Sequence, residues 1–299
     1  MTRSAATSVE EPPFVAGLVA EIEADLARRI ESVPGPAALR EALAYSILGG
    51  GKRLRPVLTL MSCEAAGGDR DRGRAAAGAI ELVHAFSLVH DDLPAMDDDV
   101  LRRGRPTLHV HAGEAMAILT GDVMMSLAFE WIADAHLGDA ATSGLVRTLA
   151  EATSCMIAGQ VYDTLGGFPA GLTQPRQLDM VHRNKTAALI RAACRLGACC
   201  GGASAETVDA LTRYGEAVGM MFQIVDDLLD VTETADHIGK ATGKDIRAGK
   251  LTYPGVCGTD QSRGEVRRLR SEAHDALGPL GQGAEDLIEL CDYMAVRTR

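Results

Sequence analysis

Aromatic residues are scarce: Phe, Tyr and Trp make up 4% of 299 residues, and Trp131 is the only tryptophan. Strands draw on aromatic and β-branched residues, so this scarcity argues against a β-sandwich. Abundant Ala, Leu and Gly favour helices packed closely through small side chains. No stretch alternates convincingly with period two, no short repeat recurs, and no linker divides the chain. The seven cysteines form no paired Cys-x-x-Cys framework. An odd number without a signal peptide points to reduced thiols and a cytoplasmic protein. The N-terminus lacks a basic segment followed by an apolar core, and no uncharged apolar run reaches ~18 residues, so neither a secretory signal nor a membrane span is expected. Positive charge is also short, with 30 Lys and Arg against 41 Asp and Glu, a net charge of -11. That balance argues against nucleic acid or an anionic membrane as the main partner.

What the chain does have is concentrated between His90 and Thr107. Asp91, Asp92, Asp97, Asp98 and Asp99 fall together, followed at once by Arg102, Arg103 and Arg105. The cluster closes an apolar helical segment, Ala79 to Val89. Carboxylates crowded at the end of a buried helix repel one another and need cations to offset the repulsion. Mg²⁺ selects oxygen ligands and is usually held by one or two carboxylates together with substrate phosphates. Forked arginine donors beside it suit phosphate oxygens. The stretch therefore reads as a metal–polyphosphate site, the competing reading being an acidic helix end with a basic turn.

Residues 1–13 are polar and proline-rich and read as a mobile tail; residues 14–299 read as one all-α domain. Apolar residues at helical spacing predict helices over 14–30 and 37–48, separated by Pro34-Gly35-Pro36. Gly49-Gly50-Gly51-Lys52-Arg53-Leu54-Arg55 resembles an anion site at a loop-to-helix junction, without the spacing of a P-loop. Further helices are expected over 57–66, 75–89, 114–135, 144–163, 177–196, 208–231, 264–277 and 285–296, with Arg70–Arg74 in a loop and 232–254 as a second loop. Lys185 falls in an apolar run, where it either meets an anionic partner or reaches out to solvent; taken alone, the second is favoured.

A second acidic motif, Asp226-Asp227-Leu228-Leu229-Asp230, decides the class. Asp226 and Asp230 are four apart and share one helix face. Unpartnered like charges at that spacing are destabilising, yet the device occurs twice, so two sets of carboxylates sharing metal ions is the better account. Asp91 and Asp97 are six apart, roughly 120° from each other on an unbroken helix. The helix must therefore end between them, and Pro94 sits where the break is needed.

Asp91-Asp92-x₄-Asp97 with Leu101-Arg102-Arg103-Gly104, and Asp226-Asp227-x₂-Asp230 downstream, resembles the trans-isoprenyl diphosphate synthases of the polyprenyl synthetase family. Gly50 to Pro56, Lys185-Thr186, Phe222-Gln223 and Gly239-Lys240 match family motifs in the same order, so the resemblance runs through nearly all the chain from Phe14. It implies a single domain of antiparallel helices around a deep central cavity, a homodimer, and Mg²⁺-dependent head-to-tail condensation of isopentenyl diphosphate with an allylic diphosphate, with three ions per site. By resemblance, Asp91, Asp97 and Asp226 are metal ligands, with Asp92, Asp227 and Asp230 supporting the cluster. Arg102, Lys185, Lys240 and Lys250 contact the allylic diphosphate. Gly51, Lys52, Arg55, His84 and Arg103 hold isopentenyl diphosphate, while Thr186 and Gln223 turn dipoles toward the developing cation. The chemistry suits this inventory. Diphosphate leaves only when its charge is neutralised, and the allylic cation must not meet water. No protein nucleophile is needed.

Phe86, five residues before Asp91, is expected to floor the cavity with Ser87 beside it; an aromatic there, with the two-residue-longer first motif, resembles bacterial farnesyl synthases, which implies farnesyl diphosphate as main product and geranylgeranyl diphosphate as the alternative. Two other classes share parts of the pattern. A class I terpene cyclase would not need the Gly50–Arg55 cluster, and a non-catalytic subunit of a prenyl synthase would be expected to lose one acidic motif. Val100 departs from the family, where many members carry a further acidic residue, with little expected effect on metal binding.

Overall fold

Pro13, at the first helical position, opens α1 (Pro13–Glu31), whose buried Val15, Leu18, Ile22, Leu26 and Ile30 repeat at helical spacing. In the computed structural model the described residues are 11–236 and 251–297, without the side chains of 232–236. The order continues through α2 (Ala37–Ile47), α3 (Leu54–Ala65), α4 (Arg70–Asp91), α5 (Leu108–Ala112), α6 (Glu114–Ala133), α7 (Asp139–Leu165), α8 (Gln174–His182), a π-helical turn (Arg183–Ala187), α9 (Ala188–Gly201) and α10 (Ala205–Asp236). Then come α11 (Tyr253–Cys257), α12 (Thr259–Ala276), a 3₁₀ segment (Gly278–Ala284) and α13 (Glu285–Val296). The fold is all-α, as composition predicted.

Small residues let the inner helices approach. The first half of α4 buries Gly73, Ala75, Ala76, Ala77, Gly78 and Ala79. On α9, a Cβ at Gly197 would fall 2.1 Å from the Thr59 carbonyl oxygen of α3, so the contact between those helices exists only because the residue is glycine. α4 packs on α3, α6 and α9, and α9 in turn packs on α7 and α10.

Several boundaries differ from expectation. Arg70–Arg74 is the first turn of α4, because the Asp69 side chain caps it by accepting from the Asp71 amide at 2.8 Å. Arg70 pairs with Glu64 at 2.6 Å and Glu21 at 3.1 Å, which holds the basic run against neighbouring helices. α7 begins at Asp139, and α10 runs on to Asp236 into the segment expected to be a loop. Pro13 belongs to α1, not to a tail. Two short elements were not expected: the antiparallel pair β1 (Leu101–Arg102) and β2 (Arg105–Pro106), and α5. All seven cysteines are free. By length and composition α6 is apolar enough to cross a membrane, with mean hydropathy 1.4 over its window, although it carries Asp122; here it packs between α4, α5 and α7.

Candidate active site

A cavity of about 1040 Å³ opens among α3, α4, α6, α7, the π turn and α10. This exceeds the ~300–1,000 Å³ common for small-molecule sites. Its polar groups include Lys52 and Arg55, the α4 residues Glu81, His84 and Asp91, and Lys185, Thr186 and Gln223; Phe86, Met125, Met156 and Ile157 supply apolar wall.

The first acidic motif folds as its proline requires. α4 stops at Asp91, and the chain turns through Pro94 so that the Asp97 amide donates to the Asp91 carbonyl at 2.8 Å. Asp91 lines the cavity, while Asp97 is exposed on the turn. Burial pushes the Asp91 carboxyl up to about 6, with Lys185 opposing and Asp97 adding to the rise. Asp92 goes elsewhere. It is buried and accepts Arg102 Nε at 2.9 and 3.0 Å and Arg102 Nη2 at 2.7 Å. That pair faces a small adjoining pocket, apart from the large cavity, so Asp92 and Arg102 lock the α4 end to the β1–β2 hairpin. Val100 is 58% exposed, away from the carboxylates that face the cavity.

The second motif divides in the same way. Asp226 accepts from Arg297 Nη2 at 2.5 Å, and the Arg297 guanidinium lies 4.5 Å from the Phe222 ring centre. Asp227 is buried and accepts Gln223 Nε2 at 2.9 Å and the Tyr253 amide at 2.8 Å. Gln223 Oε1 in turn accepts the Thr186 hydroxyl at 2.8 Å. Gln223 therefore spends its carbonyl orienting Thr186, and the Thr186 oxygen keeps its lone pairs for the cavity. Asp230 is exposed. Lys240 and Lys250, with Gly239, lie outside the described residues.

Lys185 does not reach for solvent. Its Nζ meets Asp163 of α7 at 2.5 Å. The π turn that carries it presses its backbone onto Gly159, where a Cβ would stand 2.2 Å from the Lys185 nitrogen. π turns inside α-helices commonly mark functional positions.

The basic cluster splits by burial. Gly51, Lys52, Arg53 and Arg55 all line the cavity, and Arg53 is buried, donating to Glu81 at 2.6 Å and Glu23 at 3.0 Å. Arg103 donates to the Gly50 carbonyl. Burial lowers the Lys52 pKa, with Arg297 adding, and burial likewise lowers that of Arg55, whose Nε has no hydrogen-bond partner among the described residues. A desolvated guanidinium facing a cavity calls for an anion. Burial first, then Arg55 and Arg103, holds the His84 imidazole well below its usual range, so it faces the cavity neutral. Ser87 lines the cavity and donates to the His84 carbonyl at 2.9 Å.

Residues 36–278 match the family model described as polyprenyl synthetase. The chain is similar to geranylgeranyl pyrophosphate synthase 12, chloroplastic, of Arabidopsis thaliana, at 44% identity over 278 residues, covering 89% of this chain and 76% of that protein. The solved structure of a geranylgeranyl pyrophosphate synthetase from Pyrococcus horikoshii superposes with TM-score 0.83 at 31% identity, covering 94% of this chain and 99% of that one. An FPP/GFPP synthase from Zymomonas mobilis gives TM-score 0.81 at 31% identity, over 95% and 99%.

The chain belongs to the polyprenyl synthetase family. It is a prenyltransferase, a trans-prenyl diphosphate synthase with the all-α isoprenoid synthase fold. Within that family frame, the donor set fits a hard dication: Asp91 is a carboxyl driven toward its neutral form by burial and a like charge, and Asp226 is held by a cation, as expected where positive charge belongs. Asp163, Glu81, His182 and Arg297 were not picked out from sequence. Only Asp163 left a trace there, in the anionic partner that a lysine within an apolar run calls for.

His182 is buried near Asp227, and burial pushes its pKa down to about 4. At 3.6 Å from that carboxylate it would form an ion pair if protonated, but desolvation outweighs the attraction. His84 and His182 should therefore both stay neutral as the solution is taken from about pH 8 to about pH 6, across the ordinary histidine value of ~6.5. Ring ¹³C and ¹⁵N shifts would report this, and a midpoint near 6.5 for either ring would contradict the burial argument.

Proposed function

We propose that this protein condenses isopentenyl diphosphate with allylic diphosphates in a Mg²⁺-dependent reaction and releases geranylgeranyl diphosphate as its main product. The observation that carries the reading is one roomy cavity whose polar residues include carboxylate and cationic groups and whose remaining wall is apolar. The name of the Arabidopsis relative supports the C20 product.

Asp91, Asp97 and Asp226 would hold Mg²⁺, with Asp230 in support and three ions the family number. Bound there, Mg²⁺ supplies charge neutralisation to the departing diphosphate. Lys185 joins that neutralisation by exchanging Asp163 for the allylic diphosphate. Lys52, Arg55, Arg103 and neutral His84 hold the second diphosphate, which brings the isopentenyl alkene within reach of the allylic carbon. The allylic C–O bond breaks, the alkene carbon bonds to the cation, and a proton leaves to the released diphosphate. Thr186, fixed by Gln223, turns an oxygen toward the positive charge, and the apolar wall excludes water.

Farnesyl diphosphate is the second reading, favoured by Phe86, which is buried in the cavity wall. Against it, Asp122, Met125 and Met156 also line the same cavity, so Phe86 is one part of a larger wall. Incubation of the purified protein with Mg²⁺, isopentenyl diphosphate and dimethylallyl, geranyl or farnesyl diphosphate, followed by mass analysis, should yield a C20 product. A terminal C15 product would establish the farnesyl reading, and no turnover with any primer would remove both. Phe86→Ala should shift products toward longer chains; an unchanged distribution would remove Phe86 from length control.

The partner we propose is a second copy of the chain. Ile118 and Leu119 of α6 are large apolar residues 44% and 58% exposed, outside the cavity lining. Such a surface calls for a partner, and the family implies a homodimer. Light scattering should give twice the chain mass, and Leu119→Glu should lower it; a monomer at every loading would overturn the assignment.

A further inference from the structure

The His90 imidazole occupies a notch in α6 that only glycine leaves open. Its Nε2 lies 3.1 Å from the Ile118 carbonyl oxygen. A Cβ built on Gly121 would fall 2.1 Å from Nε2, 2.5 Å from Cδ2 and 2.8 Å from Cε1 of that ring. A methyl group and the ring cannot share this space. One helical turn before His90 on α4 stands Phe86, whose ring meets the imidazole edge-on, with centroids 5.8 Å apart and planes at 80°. Both rings line the large cavity, as do Asp122 beside Gly121 and Met125 one turn further along α6. Because His90 lines the cavity, a ring driven from the notch can move into it.

We infer that Gly121 is a specificity-determining residue of chain elongation: by receiving the His90 ring it keeps the wall between α4 and α6 drawn back beside Phe86, and so admits the longer product. Gly121 contacts no reacting atom. It acts through His90, and His90 through the width of the channel that the growing isoprenoid must enter. The inference rests on the prenyl-elongation reading above.

The test compares products of the wild type, Gly121→Ala, His90→Ala and the double variant, with saturating isopentenyl diphosphate and one allylic primer. Gly121→Ala should lower the ratio of the longest product to the next shorter one by about tenfold, the scale on which an apolar pocket discriminates small differences in carbon number. The double variant should return the ratio at least to the wild-type value, because the methyl group then meets no ring. That rescue is a coupling which general destabilisation does not produce. A wild-type ratio in Gly121→Ala, or a double variant as shortened as Gly121→Ala, overturns the inference. If Gly121→Ala does not fold, the double variant and His90→Ala decide: matching distributions support the notch, and shorter products in the double variant refute it. A wild-type protein that elongates no primer removes the prenyl-synthase reading and this inference with it; one that elongates, with ratios indifferent to these variants, removes this inference alone.

Discussion

Opposite charges held at the margin of an apolar cavity are the constraint on which this molecule depends. Asp92 with Arg102, Asp163 with Lys185, Asp226 with Arg297 and Glu81 with Arg53 each join different elements. Charges drawn out of water require partners, and removing one member of a fully buried pair costs about 3–5 kcal/mol. The pairs therefore do two things. They tie α4, the β1–β2 hairpin, α7, α10 and the segment after α13 to one another. They also keep cations and carboxylates beside the place where metal and diphosphate are expected, at separations that substrates can enter by exchange.

The division of labour within each acidic motif follows from helix geometry. Adjacent aspartates point about 100° apart, so they meet different surroundings. Asp91 takes the cavity and Asp92 takes Arg102; Asp226 faces Arg297 while Asp227 takes Gln223 and the start of α11. In each motif the second residue is buried in hydrogen bonds that hold the scaffold, while the first is less buried, Asp91 at the cavity and Asp226 against Arg297. Gln223 shows the same logic one layer out, because both ends of its amide are used to aim Thr186.

Much of this was legible in the chain. Scarce aromatics and helical periodicity predicted an all-α fold, and the first acidic motif located the end of α4 while the second fell within α10. Pro94 predicted the end of α4, because its ring forbids the next helical hydrogen bond. Three features were not legible. That Asp92 turns to Arg102 depends on a two-residue hairpin whose pairing no periodicity announces. Lys185 sits in a run that reads as unbroken α-helix, and the π turn is visible only against Gly159. Arg297 is 71 residues from Asp226, beyond the reach of local pattern.

The π turn has a further consequence for the way this chain tolerates change in length. A π turn is an α-helix with one residue too many, so the segment from Gln174 to Gly201 carries a surplus position at Arg183–Ala187. Loss of one residue there would leave a regular helix with α9 still in register against α3 and α10. The backbone would gain ideal hydrogen bonds, while Lys185 and Thr186 would rotate by about 100° away from Asp163 and Gln223. The segment is thus a place where local regularity is opposed to the placement of Lys185 and Thr186 at the cavity, and the chain keeps the less regular form.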